Sequence, residues 1–135
     1  MKKEKMNSVA FLKMAAQAAK RTYSPYSNFP VGAALLTASG IVFVGCNVEN
    51  ASYGLTLCAE RVAVMKAVSE GEPEFEAMAV VGGRGKAALP CGACLQVLAE
   101  FCGPEFPIII APLDDLKKSE VVVLGDLLPH AFALK

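Results

Sequence analysis

The chain has 135 residues, of which 54% are hydrophobic, and its 13 basic and 13 acidic residues leave no formal net charge. This length is typical of one domain, so residues 1–135 are predicted to form a single unit. The balanced charge lacks the basic surplus that nucleic-acid binding needs, which argues against a polynucleotide partner. Because a small core cannot hide so much apolar surface, the composition favours large contacts between subunits.

The first residues are charged and no apolar run follows them, because Lys13 and Gln17 interrupt the next segment. We therefore predict neither a signal peptide nor a membrane span. Three of the five cysteines belong to the two short motifs described below, and the other two, Cys46 and Cys102, are expected to pack as small apolar side chains. These features favour a reducing, cytoplasmic compartment.

Apolar periodicity and turn residues predict alternating helices and strands. The first helix, with Asn7 or Ser8 as its cap, covers residues 8–21, and two strands, 31–37 and 41–49, flank a turn. A second helix runs from a Thr56 cap to Glu70, a strand covers 74–81, and Pro90 opens a third helix that Gly103 ends. The remaining elements are strands at 107–111 and 120–124 and a helical turn at 125–128. This order predicts an α/β fold, a three-layer α/β/α sandwich around a mixed five-stranded sheet.

The chemistry-bearing residues form two short motifs, Cys58-Ala59-Glu60 and Pro90-Cys91-Gly92-Ala93-Cys94. Three thiolates bind zinc tightly, and a site with three protein ligands keeps a fourth position for water. A Cys-x-x-Cys pair alone is weak evidence, since redox dithiols and zinc knuckles also use it. The added Cys and Glu match the signature of zinc deaminases, in which the Glu is an acid and base but not a ligand.

Two other kinds of site are compatible with part of this pattern. A structural zinc needs a fourth protein ligand, but Cys102 lies about 12 Å beyond Cys94 along a helix, and His130 is the only histidine. A redox dithiol leaves Cys58 and Glu60 without a role. A catalytic zinc is therefore favoured, placed near the starts of two helices. At these positions the positive ends of the helix dipoles lower the pKa values of the thiols. Arg61, close to these thiolates in sequence, is interpreted as their counter-charge.

Six stretches in one order resemble the small, homotetrameric cytidine deaminases. They are spread over nearly the whole chain, from Tyr23 to Phe132, and are Tyr23–Phe29, Val31–Leu35, Gly45–Asn50, Cys58–Arg61, Pro90–Cys94 and Leu127–Pro129 with Phe132. The resemblance implies a zinc enzyme that deaminates cytidine and deoxycytidine to uridine and deoxyuridine. It also implies a homotetramer whose active sites are shared between subunits.

The resemblance assigns roles to individual residues. Phe29 is expected against the face of the pyrimidine, and Ala59 offers it a backbone contact. Tyr53 and Phe132 are expected to complete the pocket of a neighbouring subunit. Gln96 is placed just outside the metal ligands, together with the Arg61 named above.

Asn47 and Glu49 end the second predicted strand and are two residues apart. Side chains at this spacing point to the same face of a strand, where an amide and a carboxylate can bind vicinal hydroxyls. A solvated strand end explains the pattern equally well. The resemblance favours the first interpretation, in which this pair holds the ribose.

The sequence departs from the family at Leu95, where most relatives have Arg, and more mildly at His130. Either change could shift substrate preference. The alternative function is therefore deamination of another aminopyrimidine nucleoside of the blasticidin S type, with the same metal and chemistry. A zinc-binding module without activity is a further, less favoured alternative.

Overall fold

The computed structural model describes residues 7–134; the charged segment at 1–5, on which part of the signal-peptide prediction rests, lies outside them. Within these described residues, four helices and five strands follow in chain order as α1 Ser8–Ala19, β1 Val31–Thr37, β2 Val42–Cys46, α2 Ala59–Ser69, β3 Phe75–Gly82, α3 Gly92–Phe101, β4 Pro107–Ala111, β5 Glu120–Val123 and α4 Leu124–Leu127. A 3-10 turn, Tyr53–Leu55, precedes α2. None of the helices within residues 7–134 has the length and apolar character needed to cross a bilayer.

The strands form one mixed sheet in the order β2-β1-β3-β4-β5. Only β3 and β4 run parallel, and the other neighbouring pairs are antiparallel. The segment between β3 and β4 contains α3, as expected because parallel neighbours need a long crossover connection. The predicted mixed five-stranded sheet is therefore confirmed.

Helices cover the central strands on both faces. Ala33 and Leu35 of β1 belong to a buried cluster that includes residues of α2 and α3. The alternate residues, Ala34 and Leu36, belong to a second cluster with residues of α1. Because side chains alternate between the two faces of a strand, the nearly continuous apolar run of β1 follows from this two-sided burial. The three-layer α/β/α architecture is thus confirmed.

Two glycines let the helices lie close to the sheet. A Cβ at Gly32 would be 1.8 Å from the carbonyl oxygen of Ala15 in α1. A Cβ at Gly45 would be 2.7 Å from both the carbonyl oxygen of Ala59 and the amide nitrogen of Ala63. Since real Cβ atoms do not approach this closely, Gly45 is what allows the first turn of α2 to contact β2.

Several predicted boundaries are wrong, and the largest error is at the end of β2. The strand stops at Cys46 instead of residue 49. Beyond it, Val48 forms isolated bridges with Tyr23 and Leu57, so the chain leaves the sheet and pairs with two loops. Asn47 and Glu49 therefore follow the strand. Most other ends differ from prediction by one or two residues, including the end of α1 at Ala19.

The predicted starts of α2 and α3 are also wrong. Thr56 ends the 3-10 turn, and its hydroxyl accepts a hydrogen bond from the Asn50 amide at 3.2 Å, so it does not cap α2. Cys58 is the N-cap of α2, and Cys91, not Pro90, immediately precedes the first residue of α3. Both cysteines have the extended backbone that is usual for an N-cap residue.

Candidate metal centre and adjoining pocket

Three cysteine thiols converge where α2 and α3 begin. Cys58 and Cys91 are the N-cap residues of these helices, and Cys94 lies in the first turns of α3. The Sγ atoms of Cys58 and Cys91 are 3.9 Å apart, those of Cys91 and Cys94 are 3.5 Å apart, and all three lie within 4.8 Å of one another. Tetrahedral zinc with Zn–S bonds of about 2.3 Å places its sulfur ligands about 3.8 Å apart. The three thiols therefore fit one zinc ion.

Within residues 7–134, no fourth His, Cys, Asp or Glu joins this group. Cys46 donates a hydrogen bond to the Arg21 carbonyl at 3.4 Å, and Cys102 packs partly buried against the core. The pKa of Cys102 is raised to about 12, mainly because burial disfavours the charged thiolate. Because structural zinc sites are closed by four protein ligands, this three-ligand arrangement is the open kind.

The surroundings stabilise negative charge on Cys58. Its pKa is lowered to about 5, mainly by a hydrogen bond from the Cys94 thiol and further by Arg61, while burial opposes the change. The same interaction with Cys58 raises the pKa of Cys94. Both N-cap cysteines also lie at the positive ends of helix dipoles. A thiolate is the form that binds a metal, so these interactions suit the group to zinc.

Arg61 is the cation in contact with the cluster. Its Nη2 donates to the Sγ of Cys58 at 3.4 Å, and this hydrogen bond is the main cause that raises the pKa of Arg61. Its Nε is buried without a hydrogen-bond partner among the residues described. Leu95, at the position where most relatives have Arg, adds no second cation. It is buried in the core, where it packs with residues of α2 and the sheet.

Glu60 lies in the first turn of α2 and is only 5% exposed. Burial raises its pKa to about 7; the negative charge of Cys58 adds to the rise, whereas its own backbone amide and Arg61 oppose it. A carboxyl group with a pKa near neutrality both accepts and donates protons at physiological pH. Cys58 precedes the helix with an extended backbone, so the angle between side chains two apart within a helix does not apply to this pair, and both residues line one cavity.

A cavity of about 330 Å³ adjoins the thiol cluster. Its size suits a small-molecule ligand. The sequence-predicted residues in its wall are Cys58, Cys91, Glu60, Ala59, Phe29, Asn47, Glu49 and Tyr53. The structure therefore brings eight predicted site residues to one cavity, while Cys94, Arg61, Gln96 and Phe132 are not among its lining residues.

Asn47 fastens the segment that precedes β1. Its Oδ1 accepts hydrogen bonds from the Val31 amide at 3.0 Å and the Thr22 hydroxyl at 2.5 Å. Its Nδ2 donates to the Phe29 carbonyl at 2.8 Å. The side chain is 8% exposed, so the amide is a buried support of the loop that carries Phe29.

Glu49 binds the tip of the same loop. Its Oε1 accepts hydrogen bonds from the amides of Tyr26 at 2.9 Å and Ser27 at 3.1 Å, and its Oε2 accepts from the Ser27 hydroxyl. The hydroxyl bond is the main cause that lowers the pKa of Glu49, and the two amides add to it while burial opposes. The carboxylate is therefore held ionised at the cavity wall.

The predicted aromatic residues divide into two groups. Phe29 and Tyr53 line the cavity and are 45% and 60% exposed, and the Tyr53 ring meets that of Tyr26 edge-on at 6.4 Å. Phe132 is 68% exposed and lies in the C-terminal segment. Gln96 of α3 holds it there: its Nε2 donates to the Phe132 carbonyl at 2.8 Å, and its Oε1 accepts from the Phe132 amide at 3.2 Å.

Sequence reasoning did not single out Ser27 and Thr22, which anchor Glu49 and Asn47. The only signal for Ser27 is its position in the turn-rich stretch at 23–29. Val80 and Leu89 also line the cavity without having been predicted. Apolar side chains of this kind carry no pattern that distinguishes a pocket wall from ordinary core.

Comparison with known proteins identifies the family of the chain. Residues 5–110 match the family model for the cytidine and deoxycytidylate deaminase zinc-binding region. The chain is 48% identical to a cytidine deaminase of Sporosarcina psychrophila, over 87% of this chain and 85% of that protein. It is 46% identical to one of Halalkalibacterium halodurans, over 94% and 95% of the two chains.

Solved structures give the same result. A cytidine deaminase from Burkholderia pseudomallei is 47% identical and superimposes with a TM-score of 0.88, covering 94% of this chain and 100% of that one. One from Mycobacterium tuberculosis is 46% identical with a TM-score of 0.80, covering 96% and 99%. The chain therefore belongs to the cytidine and deoxycytidylate deaminase family.

Proposed function

We propose that the protein hydrolyses cytidine and deoxycytidine to uridine and deoxyuridine with release of ammonia. The observation that carries this proposal is the position of Glu60, whose pKa is near 7, in a cavity bounded by the Cys58 and Cys91 thiols. Relatives of 46–50% identity that cover most of the chain are named cytidine deaminases. A metal ligand set and an acid–base carboxylate at one cavity are the parts that hydrolytic deamination requires.

Cys58, Cys91 and Cys94 are the proposed zinc ligands, because their mutual distances suit tetrahedral thiolate coordination. When bound, zinc supplies a Lewis acid that lowers the pKa of water from 15.7 to about 7. Zinc bound by three thiolates would carry a net negative charge. Arg61 and the N-terminal ends of α2 and α3 would offset that charge.

Glu60 is the proposed acid–base residue. Hydrolysis forms a bond from water oxygen to carbon 4 of the pyrimidine and breaks the bond from that carbon to the amine. Glu60 takes one proton from the attacking water and gives it to the adjacent ring nitrogen. It then takes the second proton from the new hydroxyl on carbon 4 and gives it to the amine, which leaves as ammonia while the carbon 4 carbonyl forms. A pKa of about 7 lets one carboxyl group both accept and return these protons.

The remaining cavity residues are proposed to hold the nucleoside. Phe29 would stack on the pyrimidine, the backbone of Ala59 would contact it, and Asn47 and Glu49 would bind the sugar hydroxyls. These residues line the same cavity as Glu60, which supports the proposal. Asn47 and Glu49 also hold the loop that carries Phe29, so one pair of side chains would position both the sugar and the ring that stacks on the base.

Ammonia release measured over cytosine, cytidine, deoxycytidine and blasticidin S tests the proposed function. We expect rapid turnover of the two nucleosides and little turnover of the free base. Turnover of blasticidin S alone would identify the alternative substrate class. No ammonia from any of them, by protein that retains zinc, would contradict the proposal.

Replacing Glu49 by Gln should raise the KM for cytidine by about 10- to 150-fold. This factor corresponds to the free energy of one hydrogen bond to a charged group. The amide keeps an acceptor for the Tyr26 and Ser27 N–H groups, so the loop should stay in place. Glu74→Gln, which changes an exposed carboxylate immediately before β3, is the matched control. Equal turnover of cytosine and cytidine by the unmodified protein would remove the proposed sugar contact.

We propose that the protein is a homotetramer whose pockets are completed by neighbouring subunits. Several large apolar side chains are exposed in the single chain, among them Tyr53 of the pocket wall at 60%, Leu55 at 67%, Leu57 at 43% and Phe132 at 68%. Exposed apolar surface of this extent marks contacts between proteins. We also infer a single domain working in a cytoplasmic, reducing compartment, since the five cysteines form no disulfide.

Subunit complementation tests the shared pocket. Glu60→Ala and Phe132→Ala proteins, each poorly active, should regain activity when unfolded and refolded together, since random assortment leaves about a quarter of sites intact in a symmetric assembly. Phe132→Ala must first be shown to be severely impaired, and sedimentation should give four times the mass of one chain. Mixtures that exchange subunits yet show only the average of their parents would mean that each pocket belongs to one chain.

A further inference from the structure

The C-terminal segment, residues 129–134, is held to the body of the protein at Phe132 by one side chain. Gln96 donates from Nε2 to the Phe132 carbonyl at 2.8 Å and accepts from the Phe132 amide at 3.2 Å. Both polar atoms of the Gln96 carboxamide are thus used on the backbone of a single residue 36 positions away. This reciprocal pair fixes the direction of the Phe132 backbone.

Although its backbone is anchored, Phe132 does not place its side chain in the cavity of its own chain. It is 68% exposed and is absent from the wall of the cavity beside Glu60. A backbone held by two hydrogen bonds, with an aromatic side chain that is mostly exposed, is an arrangement that presents the ring outward. Gln96 itself lies two residues beyond Cys94, near the middle of the helix that begins at the thiol cluster, so the segment is tied to α3.

We propose that Gln96 is a positioning residue that latches the C-terminal segment and presents Phe132 to the pocket of a neighbouring copy. The group that Phe132 would contact there is the base of a bound nucleoside, and this part of the inference rests on the proposed function. The latch itself is a property of the chain and does not depend on turnover. Gln96 is then not a catalytic residue, because it acts only through the segment that it holds.

Amide exchange measures the latch directly, because the Phe132 N–H is one of its two hydrogen bonds. Gln96→Ala should speed exchange at this amide by about 5- to 150-fold, the factor that corresponds to two net hydrogen bonds. Gln96→Glu should give an intermediate rate, since its carboxylate accepts from the amide but cannot donate to the Phe132 carbonyl. Gln17→Ala, the same change at an exposed position of α1, is the matched control and should have no effect.

Fluorescence gives a second readout, since the chain contains no tryptophan and Phe132→Trp introduces a single one. In the Gln96→Ala background, the indole emission should shift to longer wavelength and acrylamide should quench it more strongly. With Phe132 unchanged, Gln96→Ala should raise the KM for cytidine more than it lowers kcat, because stacking on the base stabilises the ground and transition states alike. Zinc content should remain that of the unmodified protein.

Unchanged exchange and quenching in Gln96→Ala would overturn the latch, as would an equal change in the Gln17→Ala control. Loss of zinc in parallel with the changes would also overturn it, because the effect would then come from the metal centre. If Gln96→Ala does not fold, Gln96→Glu decides, and values identical to those of the unmodified protein would count against the latch. Failure of the deaminase proposal itself would appear in the ammonia assay, with exchange at Phe132 still dependent on Gln96.

Discussion

Replacing Glu60 by alanine should leave zinc bound but remove nearly all deaminase activity. The carboxyl group is not among the clustered ligand atoms, so its loss should not release the metal. Positioned acid–base groups contribute about 10²–10⁴-fold to rate, and a residue that serves several proton transfers should be at or above the top of that range. Ammonia release and zinc content, measured on the same preparation, check this result.

Glu60→Gln and a control on the same helix make the experiment specific. The glutamine has nearly the same shape but cannot carry a proton, so its activity should fall as far as that of Glu60→Ala. Glu70→Gln makes the same change at the exposed C-cap of α2 and should be fully active. A loss of less than tenfold in Glu60→Ala would show that another group moves the protons.

Replacing Cys91 by alanine should abolish zinc binding and activity together. Cys91 contacts both other thiols, at 3.9 Å from Cys58 and 3.5 Å from Cys94, so its removal leaves a two-ligand site. Because its side chain is exposed, the substitution should not open a cavity in the core. Zinc measured by atomic absorption should fall from one per chain toward none, and deamination should fall with it.

The two cysteines outside the cluster are the matched controls. Cys46→Ala and Cys102→Ala remove the same atom from the partly buried end of β2 and the end of α3. Both variants should keep one zinc per chain and most of the activity. Stoichiometric zinc retained in Cys91→Ala would contradict the assignment of the metal ligands.

The sequence determined the ingredients of the site and the fold class, because these depend on local patterns. The continuous apolar run at 31–36 predicts a strand buried on both faces, and β1 is packed between two clusters. The Cys-Ala-Glu and Pro-Cys-x-x-Cys motifs predict that these thiols bind zinc before any distance is known. Ligand type and short-range spacing are written in adjacent residues, so they can be read without a structure.

The starts of α2 and α3 and the end of β2 were predicted less accurately than the motifs and the fold class. Thr56 and Pro90 are better local candidates for a helix start than cysteine, yet Cys58 and Cys91 hold the N-cap positions. The β2 boundary depends on Val48 pairing with Tyr23, 25 residues before it, and with Leu57 in the loop that follows. Such boundaries are decided by contacts between segments, which intrinsic preferences do not encode.

Only the tertiary structure decided how the parts act on one another. Cys58 and Cys91 are 33 residues apart in sequence, and the packing of α2 and α3 on one face of the sheet brings their sulfurs to 3.9 Å. The pKa of Glu60 rises to about 7 because that packing buries its carboxyl group, a desolvation cost that no motif specifies. The hold of Gln96 on Phe132 likewise joins residues 36 positions apart. Residue types determined what the site is made of, whereas long-range packing set its distances, its burial and therefore its acidity.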